Sequence, residues 1–377
     1  MRRIAAIAVA VLLAAGIAVA IAISSGATKH KTVVVSGLSG SEKIPYLTDP
    51  RVRKRLRDLG IDLQVLPAGS REIATKYNLK QYDFAFPAGV PAAEQIKLRY
   101  KPAFPQTSPF YTPMAIATFK PVADILVANG IATKQQGTYY LDVKRYLDLV
   151  QRNVKWSELK DSAAYPVDKS VVITSTDVRS SNSAAMYLSL ASYVANDDNT
   201  VQSAKQADAI QPLMTQLFLK QGFVASTSEE PFNDYLTIGA GKSPMVMIYE
   251  AQFVARAAAK DGSIRPDMVL MYPSPTVLSK HTFVPLTANG DKLGKALTTD
   301  ETLQELAVEY GFRTAQPGAF QRFTASHGVH VPGSILNAVD PPSFETLEHM
   351  IKKLEKAYAS QNAVYSAPHQ SQEAETK

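Results

Sequence analysis

The sequence predicts an α/β fold: two α/β domains joined by two crossing strands, preceded by an N-terminal apolar helix. Three observations predict it. First, a strand, a glycine–serine turn, a helical stretch and a second strand succeed one another between Thr32 and Leu66, the β–turn–α–β order of a parallel sheet. Second, short apolar runs end repeatedly in polar or glycine-bearing turns, at Ser36–Lys43, Pro87–Gly89, Ser175–Ser183 and Tyr249-Glu250. Third, 377 residues can bury two sizeable cores, and two apolar runs, Pro109–Phe119 and Met268–Tyr272, stand where a chain would cross into a second domain and return.

The elements follow in order. Arg2-Arg3 precede the uncharged run Ile4–Ile23, which as a helix would be about 30 Å long, the depth of a bilayer core. Small residues at Ser25-Gly26-Ala27 suit cleavage of a signal peptide, and the length of the run suits an uncleaved membrane anchor equally. Either way residues 1–27 are a targeting segment and the remainder is expected outside the cytoplasm. No Cys follows the run, which excludes a lipoprotein anchor. Residues 31–112 with 272–358 are expected to form domain 1, residues 113–271 domain 2, and residues 359–377 a disordered polar tail.

In domain 1, Thr32–Val35 is a strand, Val52–Leu59 a helix stopped by Gly60, Ile61–Leu66 a strand, Ser70–Tyr77 a short helix and Tyr82–Phe86 a strand, with a helix starting at Pro91–Lys97. In domain 2, Val122–Ala128 and Leu141–Gln151 read as helices. The β-branched run Val171–Thr174 reads as a buried strand feeding the helix Ser183–Val194. Helices at Ile210–Gln221 and Phe232–Ile238, a strand at Pro244–Tyr249 and a helix at Gln252–Ala259 complete it. Back in domain 1 come the strand Thr282–Leu286, the helices Asp291–Leu297 and Asp300–Tyr310, a loop-rich stretch Pro317–Pro342, and a last helix Phe344–Tyr358 with the stripe Leu347, Met350, Ile351 and Leu354.

Composition removes several classes of function. Hydrophobic residues are 46% and charged residues 20%, ordinary for a globular protein. The absence of cysteine excludes disulfides, thiolate catalysis and cysteine-ligated metal centres. The net charge of +6 comes with no arginine-rich helix and no basic–aromatic array, so no nucleic-acid partner is expected. His327 and His330 stand three apart without a carboxylate in the motif, so no metal is expected. Gly239-Ala240-Gly241-Lys242-Ser243 imitates the end of a phosphate-binding loop but lacks its upstream glycine, and no cofactor is expected.

The candidate site lies at the turns. Strand, turn and helix start in succession leave several N–H groups without intrahelical partners, with the positive end of the helix dipole behind them, a place for an anion or a polar solute. The candidate ligand-binding residues are Ser39, Gly40 and Ser41 on the first turn, Ala88 on the second, Asp177, Ser181, Asn182 and Ser183 on the third, and Tyr249 with Glu250 on the fourth. Ser181, Asn182 and Ser183 would also serve as ordinary helix caps. Ligands of open α/β sheets sit outside the carboxyl ends of strands, and clefts between domains are favoured small-molecule sites. Glu250 is able to bind an amine or cation or to pair with Arg179, and Asp177 and Arg179 are able to neutralise each other. No catalytic residue is expected. A secreted serine hydrolase acting through Ser39 or Ser183 would need a histidine within reach, and His281 is the one beside an expected strand. An anchored protein-interaction domain that binds no solute is a further alternative.

At these residues the chain resembles a bacterial extracellular solute-binding protein of the type II periplasmic-binding fold, in the branch that includes molybdate- and phosphate-like oxyanion binders. The resemblance is carried by Ser36–Lys43 (SGLSGSEK), Asp83–Gly89 (DFAFPAG), Ser175–Leu188 (STDVRSSNSAAMYL), Pro244–Phe253 (PMVMIYEAQF), Met271–Leu286 (MYPSPTVLSKHTFVPL) and Ala307–Thr314 (AVEYGFRT). It covers about residues 31–358. It implies two domains that close over a small solute, an oxyanion among the candidates, for delivery to the permease of an ABC-type transporter. By position, Ser39, Gly40 and Ser41 would serve one domain and Ser181, Asn182 and Ser183 the other. Glu42, Asp177 and Glu250 depart from the neutral donor sets of oxyanion sites in this group.

Overall fold

The computed structural model describes residues 32–222, 225–335 and 337–366. The targeting segment expected at 1–27 lies outside the described residues, as does the chain from 367 onward. Among the described residues no helix is long and apolar enough to cross a membrane.

The first half begins with β1 (Val33–Ser39), a short turn at Ser41–Lys43 and α1 (Ile44–Thr48). In α2 (Pro50–Asp58) proline takes the first position and Asp49 accepts the Arg51 N–H as a cap. β2 (Ile61–Pro67) returns parallel to β1, with Val33 opposite Ile61. α3 (Ser70–Thr75) leads to β3 (Phe84–Phe86), parallel to β1 on its other side. The two-residue alternation of strands sends Val35, Phe84 and Phe86 into one core and Leu38 and Ala85 into a second core on the opposite face. Gly37 is required between them, because a Cβ there would stand 2.5 Å from the Phe84 ring. After α4 (Val90–Tyr100) comes β4 (Thr107–Phe119), the longest strand.

The second half contains α5 (Lys120–Ala128), the hairpin of β5 (Ala132–Gln135) and β6 (Thr138–Asp142), α6 (Val143–Arg152), α7 (Asn182–Ala195), α8 (Ala204–Leu219), α9 (Glu229–Thr237), β7 (Met245–Tyr249), α10 (Glu250–Ala259) and β8 (Met268–Ser274). The chain returns through β9 (Thr276–Pro285), α11 (Ala288–Thr299), α12 (Glu301–Glu309), β10 (Arg313–Thr314), α13 (Ala319–His327), β11 (Ala338–Val339) and α14 (Phe344–Ser366). The strands form one continuous sheet in the order β2-β1-β3-β9-β4-β8-β6-β5, with β7 and β10 also on β4 and β11 on β9. β4 joins the halves: its residues from Thr107 to Pro113 pair with β9, and those from Met114 to Phe119 pair with β7 and β8. The second half packs around Met114, Ile116, Tyr146, Trp156, Tyr187, Phe218 and Met247. Each such side chain contributes about 1.5–3 kcal/mol by leaving water.

The structure corrects several expectations. The parallel pairing expected from the first β–turn–α–β unit is present, and the rest of the sheet is mixed: β1 with β2 and β3, and β6 with β8, are parallel, while β3–β9, β5–β6 and the ladders on β4 are antiparallel. Val171–Thr174 is not a ladder strand. It touches β7 at a single parallel bridge, Thr174 to Val246. Its neighbouring N–H groups go to side chains instead, Ile173 to Tyr146 Oη at 3.0 Å and Ser175 to Gln221 Oε1 at 2.7 Å. Buried backbone donors must be paired, and the partner's kind is a tertiary matter that β propensity does not encode. Met268–Tyr272, expected to be the return crossing, stays in the second half as part of β8, and β9 makes the crossing. The hairpin β5–β6, unread in the sequence, turns at Gln136-Gly137, both with positive φ.

The stretch expected as loop, 317–342, contains α13 and β11. The last helix does not stop at Tyr358 before a disordered tail but continues to Ser366. Its stripe of Leu347, Met350, Ile351 and Leu354 packs into the core of the second half, not the first. Tyr358 Oη donates to the Phe218 carbonyl at 3.2 Å, which ties α14 to α8.

Candidate functional site

The carboxyl end of β1 and the start of α7 face one another across a cleft of about 250 Å³. One wall is Gly40, Ser41 and Glu42 after β1, with Pro67 at the end of β2, Ala68, Gly69 and Ser70 after it, and Glu72 of α3. The other is Ser180–Asn182 before and at the start of α7, Ser226–Ser228 before α9, and Tyr249 at the end of β7. The strands carry these residues to one edge because β1 and β2 run parallel and end together, Ser39 opposite Pro67. At one end the walls are joined. Arg71 donates to the Arg179 carbonyl at 2.7 Å and pairs with Glu348 of α14.

Beside the carboxylates of Glu42 and of Glu72, which pairs with Lys76 at 2.9 Å, the cleft presents donors from neutral groups. Ser181 is the N-cap of α7 and Ser228 that of α9, and neither side chain makes a capping bond. The first N–H groups of α7 have no intrahelical partner. Asn182 Nδ2 donates to Tyr249 Oη at 3.0 Å, which fixes both side chains. The Ser181 and Ser183 hydroxyls share a hydrogen bond of 3.0 Å, and Ser183 shares another of 2.8 Å with Thr176.

The three carboxylates that depart from a neutral site are each compensated. Glu42 forms an ion pair with Lys43, which is fully buried. Burial by itself would raise the Glu42 pKa, but the Lys43 charge and the His281 contact outweigh it and hold the carboxyl below its ordinary range. Burial lowers the Lys43 pKa from its ordinary value, opposed by Glu42. His281 Nδ1 lies 3.3 Å from Lys43 Nζ and 3.4 Å from Glu42 Oε1. Burial first, and the Lys43 charge second, lower His281 to about 4, so the ring is neutral at pH 7. Asp177 is paired with Arg179 at 2.5 Å. Glu250 is fully buried, accepts two bonds from Arg313 at 2.7 and 2.8 Å, and accepts the Tyr272 hydroxyl at 2.6 Å.

Of the residues singled out in the sequence, Gly40, Ser41, Ser181, Asn182 and Tyr249 line the cleft. The other five stand behind it. Ser39 is buried, its hydroxyl on the Gly40 carbonyl. The Ala88 N–H donates to Ser70 Oγ at 2.9 Å. Ser183 is held by Thr176 and Ser181, Asp177 by Arg179, and Glu250 pairs with Arg313 rather than Arg179. Two lining segments were missed. Pro67-Ala68-Gly69-Ser70 is rich in turn residues, and Ser226-Thr227-Ser228 before Glu229-Glu230 has the capping-box spacing of a helix start. Both signals were legible as turns, but not as walls of this cleft.

The geometry offers no nucleophile–base pair at Ser39 or Ser183. Their hydroxyls are occupied as described, and His281 faces Lys43 and Glu42. Among the described residues no group of three or more His, Cys, Asp or Glu is placed to hold a metal ion.

No protein-family model matches the chain, and no curated protein sequence matches it. Solved structures do. The chain is similar to iron-bound HitA from Pseudomonas aeruginosa, with a TM-score of 0.53 at 10% identity over 87% of this chain and 99% of that one. It is similar to an ABC transporter structure from Clostridium perfringens, with a TM-score of 0.50 at 13% identity over 86% and 99%. It is also similar to the periplasmic binding protein P5PA, with a TM-score of 0.50 at 12% identity over 86% and 98%. At such identities the likeness speaks for the fold, and with the crossing of β4 and β9 and the cleft at the strand ends, the chain has the type II periplasmic-binding fold.

Proposed function

We propose that this protein is a solute receptor rather than an enzyme, and that it closes two lobes over a small polar or anionic solute for an ABC-type transporter. The lobes are the two halves of the sheet, with β4 and β9 as the connection. The observation that carries this reading is that two serine-bearing corners, 140 residues apart in the chain, Ser41 and Ser181, line one cleft. A solute that touches both corners favours the closed arrangement by its differential contacts. With Glu42 paired to Lys43 and Glu72 to Lys76, the uncharged groups it would meet are hydroxyls, an amide and helix N–H groups, which suits an anion. In this reading the run before residue 28 exports the chain and either is cleaved or tethers it.

The test is calorimetry on the exported chain against sulfate, molybdate, phosphate and small carboxylates. A bound solute at a hundred times its Kd should add about 2.7 kcal/mol of stability. Asn182→Leu removes a donor and frees the Tyr249 hydroxyl, and should weaken binding roughly tenfold. Absence of heat and of stabilisation across the whole set would reject the receptor reading.

A further inference from the structure

The polar cleft does not end in solvent at Tyr249. It continues into a second chamber of about 450 Å³, and Ser41, Glu42, Thr227, Ser228 and Tyr249 line both spaces. The second chamber is apolar in its walls. Pro45, Tyr310 and Phe312 come from the first half, and Ala251 and Ala255 from α10 of the second. Like the polar cleft, it therefore lies between the two halves.

These walls are held rigid. Tyr310 Oη donates to Asp49 at 2.8 Å, and its ring stands edge-on to Tyr46 with centroids 5.8 Å apart. Phe312 stacks on Phe110 with centroids 4.4 Å apart. The Ala251 N–H donates to Thr112 Oγ1 at 3.1 Å. At the rim, Glu229 accepts from Arg256 at 3.0 Å and from Gln252 at 3.2 Å, so its charge is already engaged. The alanines leave room where a larger side chain on α10 would have filled the chamber. Concave apolar surface of this kind marks a place for an apolar group.

We propose, resting on the receptor reading, that the solute is a small organic anion, with its charged head among the serine corners and an apolar substituent of about ring size in the chamber between α10 and Phe312. A bare inorganic oxyanion would occupy the polar cleft and leave the chamber unused. The polar cleft of about 250 Å³ is smaller than the roughly 300–1,000 Å³ common for pockets of organic ligands, and the adjoining chamber brings the space into that range.

The experiment compares heads with and without an apolar group on the full exported chain: phosphate, sulfate and acetate against phenyl phosphate, phenyl sulfate and phenylacetate. At least one phenyl compound should bind ten times more tightly than its parent anion, with a more negative heat-capacity change. Ala255→Trp should abolish that advantage and leave the affinity for the parent anion within twofold. Ala255→Leu, a milder filling at a half-buried helix position, should reduce it partway and guards against a misfolded variant. Parent anions that bind as tightly as their phenyl derivatives, unaffected by either variant, would overturn the proposal while leaving the receptor reading intact. Failure of all six compounds to bind would overturn the receptor reading and this proposal with it.

Discussion

Two buried ionic clusters lie at the junction of the sheet halves, and they are built differently. In the first, Arg313 of β10 meets Glu250 at the start of α10 through two parallel bonds, and it also donates to the Pro332 carbonyl at 2.8 Å. Tyr272 completes the Glu250 carboxylate. In the second, Glu42 pairs with Lys43, His281 stands against both, and His281 Nε2 is buried with no hydrogen-bond partner among the described residues. The first cluster is closed and saturated and stands outside the cleft. The second is incompletely satisfied, and its carboxylate reaches the cleft wall. A saturated buried pair fastens elements together. An unsaturated one beside a cleft couples charge at the site to the stability of the fold.

The largest effect is expected at the saturated cluster. Arg313→Met leaves Glu250 buried without its cation and should cost about 3–5 kcal/mol in denaturant unfolding. A loss under 1 kcal/mol would show that water reaches the pair and that the cluster is not closed.

The second cluster should show itself through pH. His281 is lowered from 6.5 to about 4 in the fold. Between those values the unfolded chain binds more protons than the native one, so stability is full above pH 6.5 and falls as the pH drops towards 4. The loss should be on the order of 2–3 kcal/mol. Glu42, held low by Lys43 and His281, acts in the same direction below about pH 4.5. His281→Gln should flatten the upper part of this profile, as read by unfolding at a series of pH values. An unchanged profile in that variant would assign the pH dependence elsewhere.

The smallest effect concerns binding. Lys43→Met leaves the Glu42 charge facing the cleft uncompensated and should weaken an anion about tenfold, or 1.4 kcal/mol. The double variant Glu42→Gln with Lys43→Met should recover most of the affinity. Equal loss in single and double variants would mean that Lys43 acts through packing, against Phe86 at 4.8 Å, rather than through charge.

Much of the architecture was legible because it is local. Asp300, Gly60 and Gly311 announce helix ends by capping chemistry and positive φ, and the alternation in β1 and β3 announces which side chains turn inward. Val171–Thr174 was misread because its N–H groups go to scattered partners, Val171 to the Val154 carbonyl, Ile173 to Tyr146 Oη and Thr174 to the Met245 carbonyl, rather than to one neighbouring strand. The site was half legible for the same reason. A serine after a strand is visible in the sequence, but whether it lines a cleft, as Ser41 and Ser181 do, or is buried behind it, as Ser39 and Ser183 are, is set by packing.

Sequence alone was enough for the α/β class, many of the helices and strands, the two serine corners and the absence of cysteine chemistry, since propensity, capping and composition act over a few residues. It took the tertiary structure to show that β9 carries the return, that α14 belongs to the second core, that Glu250 is paired with Arg313, and that the polar cleft continues into an apolar chamber. Those facts depend on which distant groups share a low-dielectric space, and the energy of a buried charge or an apolar wall is a property of its surroundings.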